Sequence, residues 1–386
     1  MIILYVTASD INAKGGDIDH VLAISKGLAK LGNKVHLIVC SSSDNRNEIT
    51  VDNFKQYIVP VKELSVLNKI LKLARFALDF IKKNKVDILY LRTFPLDFLL
   101  FTRHLNKYKI PYVCELNTIT CNEYKSRGQY LKGKVFEFFE GITIRNSDGI
   151  LPVTDEIARW AEKIGGMSKP FYIACNGVDV DKINPRKTYH EIRKDLGVSD
   201  NMPVLAMAGF SRPWHGFDRA IALLSKLKTP AELWLVGADT DEIKGEVESI
   251  AAKFGVSDLI RVFPWLNHSD LVDIISAADI GLGSLAFDRK GMTEAQSLKV
   301  RFYIALGLPV LINLYDPKVD GSLPFVSYIP STEPESLAKG IDKLVRTSHD
   351  RNKIREFAKD HLSWDAISLE TEKFLRDILS KRAVSE

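Results

Sequence analysis

The segment AFDRKGMTEAQSLKVRFY (286–303) places Arg289, Lys290, Lys299 and Arg301 within thirteen residues, with Glu294 among them, at the entry to a helix expected over 297–306. Four cations leading out of a buried strand are poor core material. Together with the unpaired amides of a helix N-terminus they suit a pyrophosphate. Glu294, its charge offset by those neighbours, suits a ligand's hydroxyls. Val300, Tyr303, Ile304 and Leu306 then supply the apolar face that seats the helix on a sheet.

Two other loops carry similar material. TASDINAKGGDIDHV (7–21) follows the first expected strand, and its Gly15-Gly16 pair lets a ligand approach the helix that starts there. The same residues equally suit a plain βα turn. GFSRPWHGFD (209–218) sets Arg212 and His215 beside Gly216 at another helix start, an anion seat by the same logic, with Trp214 either a lid or packing. The glycines of Gly281-x-Gly283-x-x-Ala286 open no evident helix, so they do not make a dinucleotide fingerprint.

The elements that must position these loops repeat twice. IILYVT (2–7), KVHLIVC (34–40), DILYL (87–91) and PYVCEL (111–116) read as strands buried on both faces, alternating with helical periods at 18–31, 64–83, about 95–107 and 129–145. The pattern restarts after residue 200 with strands near 203–209, 232–237, 260–265, 279–285 and 309–314 and helices near 216–227, 241–254, 268–277 and 297–306. The expectation is α/β, with two doubly wound domains facing a cleft: 1–173 joined by a returning C-terminal helix at 364–386, and 174–363. Ligands in such sheets lie beyond the carboxyl ends of the strands, where strand order reverses.

Composition bounds the rest. At 386 residues with 46% hydrophobic content, the chain has material for two cores. Cys40, Cys114, Cys121 and Cys175 lack metal-like spacing and read as reduced, buried thiols of a cytoplasmic protein. MIILYVTASD reads as a strand rather than a signal peptide. No apolar run reaches the roughly 20 residues of a spanning helix. Residues 1–180 hold 25 Lys and Arg against 19 Asp and Glu, whereas the remainder holds 28 against 30. Scattered basic residues without a binding motif give no case for nucleic acid.

The chain resembles the retaining glycosyltransferases of the two-Rossmann-domain (GT-B) architecture, in the family of glycosyl transferases group 1, also called family 4. The resemblance rests on GGDIDHVLAISKGLAKLGNKVHLI (15–38), DILYLR (87–92), CELN (114–117), ILPVTDEI (150–157), NGVDVDKINP (176–185), WHGFD (214–218), LWLVG (233–237) and RKGMTEAQSLKVR with YIALGLPV (289–310). It implies a nucleotide-sugar donor held mainly by the second domain, an acceptor held by the first, and neither cofactor nor catalytic metal. Carried over, Glu294 meets donor-sugar hydroxyls and Arg212, His215 and Lys299 meet the diphosphate. Gly15, Gly16, Arg289, Ser297, Leu298, Arg301 and Phe302 complete the donor side, and Arg92, Asn117 and His20 lie on the acceptor side.

Phe302 departs from the pattern. It stands where the second Glu of the family's E-x7-E motif holds the ribose, and losing a charged acceptor there costs roughly 1.5–3 kcal/mol. The implied His-x-His on strand 87–92 reads Tyr90-Leu91-Arg92, and Asn117 replaces a frequent His. Asp17-x-Asp19 and Asp239-x-Asp241 read as chance rather than as a metal motif. The basic amphipathic stretch 66–85 fits either an anionic membrane, the setting of a lipid-linked acceptor, or the surface of the first sheet. A catalytically impaired partner subunit or sensor is the alternative that Phe302 raises. A sugar-nucleotide epimerase or phosphorylase on the same scaffold is a further rival.

Overall fold

The computed structural model describes the chain apart from residues 14–15, 44–48, 127, 210–211, 239 and 386. It forms two compact units, Met1–Cys175 with Trp364–Glu386, and Asn176–Ser363.

The first unit is built on a seven-stranded sheet: β1 (Ile2–Asp10), β2 (Lys34–Ser41), β3 (Thr50–Val51), β4 (Phe54–Pro60), β5 (Ile88–Arg92), β6 (Tyr112–Leu116) and β7 (Gly149–Pro152), in the order β3-β4-β2-β1-β5-β6-β7. Only the β3–β4 pair is antiparallel. Its helices include α1 (Gly16–Lys30), α2 (Val66–Lys83), α3 (Thr120–Ser126), α4 (Tyr130–Asn146) and the C-terminal α8 (Trp364–Ser385).

The four expected strands are the apolar central ones, whose residues are buried on both faces. β3, β4 and β7 were not expected. FKQYIVP carries Lys55 and Gln56 inside an otherwise apolar run, and GILP is only four residues long. The helix expected at about 95–107 is broken into Asp97–Leu100 and a 3-10 stretch, Thr102–Tyr108.

Helix α2 lays Ile70, Leu73, Ala74, Ala77, Phe80 and Ile81 into the core, so the sheet-covering reading of 66–85 describes its main face. Leu67, near the start of the same helix, is 50% exposed. The returning helix α8 docks on α1 at Gly27, where a Cβ would fall 2.0 Å from Ser368 Oγ. Asn33 donates to Glu372 at 2.8 Å and Tyr172 to Glu370 at 2.6 Å, fixing the same helix.

The second unit holds β8 (Val204–Ala208), β9 (Glu232–Val236), β10 (Ile260–Phe263), β11 (Ile280–Leu282), β12 (Val310–Ile312) and β13 (Val326–Tyr328), all parallel, in the order β10-β9-β8-β11-β12-β13. Order reverses between β8 and β11, which marks a ligand position. Around that point stand α5 (Phe217–Leu224), α6 (His268–Ser276) and α7 (Leu298–Ala305).

Gly281 and Gly283 lie under α7. A Cβ at Gly281 would sit 2.2 Å from Tyr303 Cδ2. The glycine pattern at 281–286 is therefore a packing device. Close approach lets the Tyr303 hydroxyl accept from the Ala208 amide at 2.7 Å, which ties α7 to the end of β8.

Candidate functional site

In the second unit, the chain leaving β8 and the first turn of α7 meet at Gly209. Its φ of +126° is open to glycine alone, and a Cβ there would fall 3.2 Å from His215 Cε1 and 3.4 Å from Lys299 Nζ. Two predicted residues, eighty-four positions apart in sequence, thus converge on one bare backbone position. Lys299 Nζ is buried and has no hydrogen-bond partner among the described residues. Burial pushes its amine down to about 7.

Ser297 is the N-cap of α7, and its side chain makes no capping bond. The amides of Leu298 and Lys299 precede the first bond of that helix, from Val300 to the Ser297 carbonyl at 3.1 Å, and so have no intrahelical acceptor. Arg212 is exposed and makes no ion pair among the described residues, while its carbonyl accepts from the His215 amide at 2.8 Å. A buried cation, an imidazole, a helix N-terminus and a glycine make an anion seat.

The other expected cations are committed elsewhere. Arg301 is fully buried in a two-pronged ion pair with Asp316, and its Nε donates to the Asn176 carbonyl at 3.2 Å. Arg289 pairs with Asp218 at 2.6 Å and donates to the Pro213 carbonyl at 2.6 Å. Lys290 lies 4.6 Å over the Trp214 ring, and Arg219 binds Asp288 from the first turn of α5. The cluster expected of four ligand-facing cations is corrected to one buried lysine. Arg289 and Lys290 brace loop 286–291 against 213–218, and Arg301 ties α7 to Asp316 and Asn176.

Glu294 is buried and bridges in strand-like fashion to Tyr315, with the Ala295 amide donating to the Tyr315 carbonyl at 3.1 Å. Gln296 holds this segment to Asn176, accepting from its amide at 2.8 Å. Phe302 is half-buried and packs on the core, its ring edge-on to His268 at 6.3 Å.

In the first unit, a cavity of about 340 Å³ opens beyond the ends of β5 and β6, lined among others by Asp17, Arg92, Asn117, Thr120, Tyr124 and Glu140. Its base is Glu115, fully buried. Arg92 donates to Glu115 and Asp17, Asn117 Nδ2 donates to Glu115 at 2.7 Å, Tyr5 at 2.5 Å, and His20 Nε2 lies 3.1 Å away. Burial raises the Glu115 carboxyl, yet Arg92 and His20 outweigh it and hold the group well below the usual carboxylate range. His20, edge-on to Trp364 at 5.3 Å, is 2% exposed and acts from behind the cavity wall. Glu140 accepts from the hydroxyls of Thr93 at 2.9 Å and Thr120 at 2.5 Å, and burial pushes it up to about 7.

Gly16 begins α1, and Gly15 lies outside the described residues. Of the two Asp-x-Asp pairs, Asp17 is engaged by Arg92 and Asp239 lies outside the described residues. The four cysteines are buried, and none forms a disulfide among the described residues. No helix of the described residues is long and apolar enough to cross a membrane.

Comparison with known proteins decides the family. Residues 15–182 match Glycosyltransferase Family 4, and residues 188–361 match Glycosyl transferases group 1. The chain is a group 1 glycosyltransferase of the GT-B fold.

Among solved structures it is similar to sucrose-phosphate synthase from Thermosynechococcus elongatus, with 14% identity and a TM-score of 0.76 over 98% of this chain and 99% of that one. It is also similar to Anabaena HepE in complex with UDP, with 15% identity and a TM-score of 0.72 over 98% and 100%. A D-inositol 3-phosphate glycosyltransferase from Geodermatophilus obscurus is 26% identical over 138 residues, which are 33% of this chain and 30% of that relative.

Sequence reasoning missed Glu115, the hub of this glycosyltransferase's first-unit site, although a carboxylate inside the apolar run PYVCEL was a visible signal. It also missed Glu140 and its two threonines, which come from three separate elements and share no local pattern.

Proposed function

We propose that the chain transfers a sugar from a nucleotide-sugar donor to a hydroxyl of a saccharide or lipid-linked acceptor, with retention of configuration, in the synthesis of cell-surface polysaccharide or glycoconjugate. The observation that carries the donor half is the buried Lys299 ammonium, without a hydrogen-bond partner among the described residues, beside His215 and Gly209. An uncompensated buried cation is costly unless an anion arrives. A diphosphate supplies it. That HepE was solved with UDP and with UDP-glucose supports a nucleotide-sugar ligand.

In this reading Lys299, His215, Arg212 and the first amides of α7 stabilise the leaving diphosphate, which is an electrostatic task. Glu294 holds donor-sugar hydroxyls. The departing phosphate oxygen takes the proton from the acceptor hydroxyl on the same face, so no protein nucleophile or metal is assigned a step. The first-unit cavity, with Arg92, Asn117 and Glu140 on its wall, takes the acceptor.

Phe302 favours a second reading, a partner subunit or sensor that no longer holds the ribose. Calorimetric titration with UDP, GDP, ADP and dTDP, repeated on Phe302→Glu, separates the two. Micromolar binding by the native chain, followed by nucleoside diphosphate release only when acceptor is added, is the outcome expected of the enzyme. Binding only after Phe302→Glu would hand the lead to the second reading.

A further inference from the structure

Helix α4 is built inside out. Its buried residues are Gly133, Glu137, Glu140, Gly141, Thr143 and Ile144, a face rich in carboxylates and glycines. Its outward face carries Leu131, 81% exposed, Val135, 53% exposed, and Phe138, 66% exposed. With 3.6 residues per turn these positions and the half-buried Ile142 fall on one narrow stripe.

The inward carboxylates are occupied. Glu137 accepts from Trp160 Nε1 at 2.8 Å and from Lys134 at 2.7 Å, and Glu140 binds the two threonines. The glycines allow close packing: a Cβ at Gly141 would fall 2.4 Å from the Ile164 carbonyl oxygen, and one at Gly133 would fall 2.7 Å from Tyr124 Cβ. The orientation is therefore locked, and the apolar stripe cannot roll inward.

We propose that this stripe, rather than 66–85, docks the chain onto an anionic lipid surface. Charge chooses the occupant. Among the described residues from Thr120 to Asn146, Lys125, Lys132, Lys134 and Arg145 are exposed, whereas Glu123 is half-buried and Glu137 and Glu140 face inward. Exposed apolar side chains flanked by lysines match an interfacial helix on negatively charged headgroups. A second copy of this chain suits the stripe less well, because pairing it with itself brings the same cations together with no exposed carboxylate opposite. Phe136 and Glu140 of the same helix line the first-unit cavity. A lipid-borne acceptor would then be met at the surface, a consequence that rests on the acceptor reading above; the docking itself does not.

The test is co-sedimentation of the full chain with phosphatidylcholine vesicles and with vesicles in which part of that lipid is replaced by phosphatidylglycerol. Binding only to the anionic vesicles is expected. Leu131→Ser/Val135→Ser/Phe138→Ser should abolish it while leaving nucleoside diphosphate affinity intact, which also shows that the variant folds and keeps this result separate from the donor reading. Lys125→Glu/Lys132→Glu should weaken binding by more than the roughly fivefold that each neutralised cation would cost. No binding to anionic vesicles, or binding that ignores both variants, overturns the proposal. So does a dimer, seen by light scattering, that the triple variant dissolves.

Discussion

Each unit holds a buried charge at the carboxyl end of its sheet, Glu115 in the first and the Lys299 amine in the second, and the two are treated in opposite ways. Glu115 is surrounded by Arg92, Asn117, Tyr5 and His20, so its charge is neutralised before any ligand arrives. Lys299 has no partner among the described residues, and its amine is pushed down to about 7. A buried charge with a full set of partners is architecture. One left without them is stability withheld for a ligand, since the native state carries the desolvation cost until an anion relieves it.

The contrast is broken most severely at Glu115. Glu115→Ala leaves Arg92 buried against Asp17 alone, and should cost about 3–5 kcal/mol of stability in chemical denaturation. Lys299→Ala should behave in the reverse sense. It is expected to weaken nucleoside diphosphate binding by about 1.5–3 kcal/mol, read calorimetrically, while Lys299→Met raises the melting temperature of the free protein below pH 7. If Lys299→Met melts earlier at that pH, the lysine is paired after all and the comparison fails.

Phe302→Glu offers a sharper probe of the same site. Restoring an acceptor for the ribose should improve nucleoside diphosphate affinity by up to about 1.5–3 kcal/mol, with little gain for inorganic pyrophosphate, which has no ribose. An equal gain for both ligands would place the new carboxylate's effect outside the ribose.

The pH dependence follows from the sign of the Lys299 shift. The free amine titrates near 7, and a bound diphosphate raises it towards its ordinary value, so binding takes up a proton between those limits. Affinity should hold below pH 7 and fall by up to about tenfold per pH unit above it. Proton uptake, measured in two buffers of different ionisation enthalpy, checks this directly. Smallest of all, Asn117→Ala removes one of four partners of Glu115 and should cost about 1 kcal/mol of stability.

Much of the fold was legible because doubly wound sheets write themselves locally. Apolar runs of five to seven residues alternate with helical periods, and burial on both faces leaves few polar residues to interrupt them. β4 escaped because Lys55 and Gln56 interrupt its apolar run, yet Gln56 is fully buried in the sheet. The loops were also legible, since they had to follow strands and open helices. Lys299, His215 and Ser297 do meet at one helix N-terminus, as their spacing after β8 and before α7 required.

What the sequence determined by itself was which elements exist and which loops could hold an anion, because both depend on neighbours along the chain. Which charges stay free was decided only by tertiary structure. Arg289 finds Asp218 seventy-one residues away, Arg301 finds Asp316 across the end of β12, and Lys299 finds no one among the described residues. Charge is a property of a residue, but its availability depends on what the fold brings within about 4 Å of it.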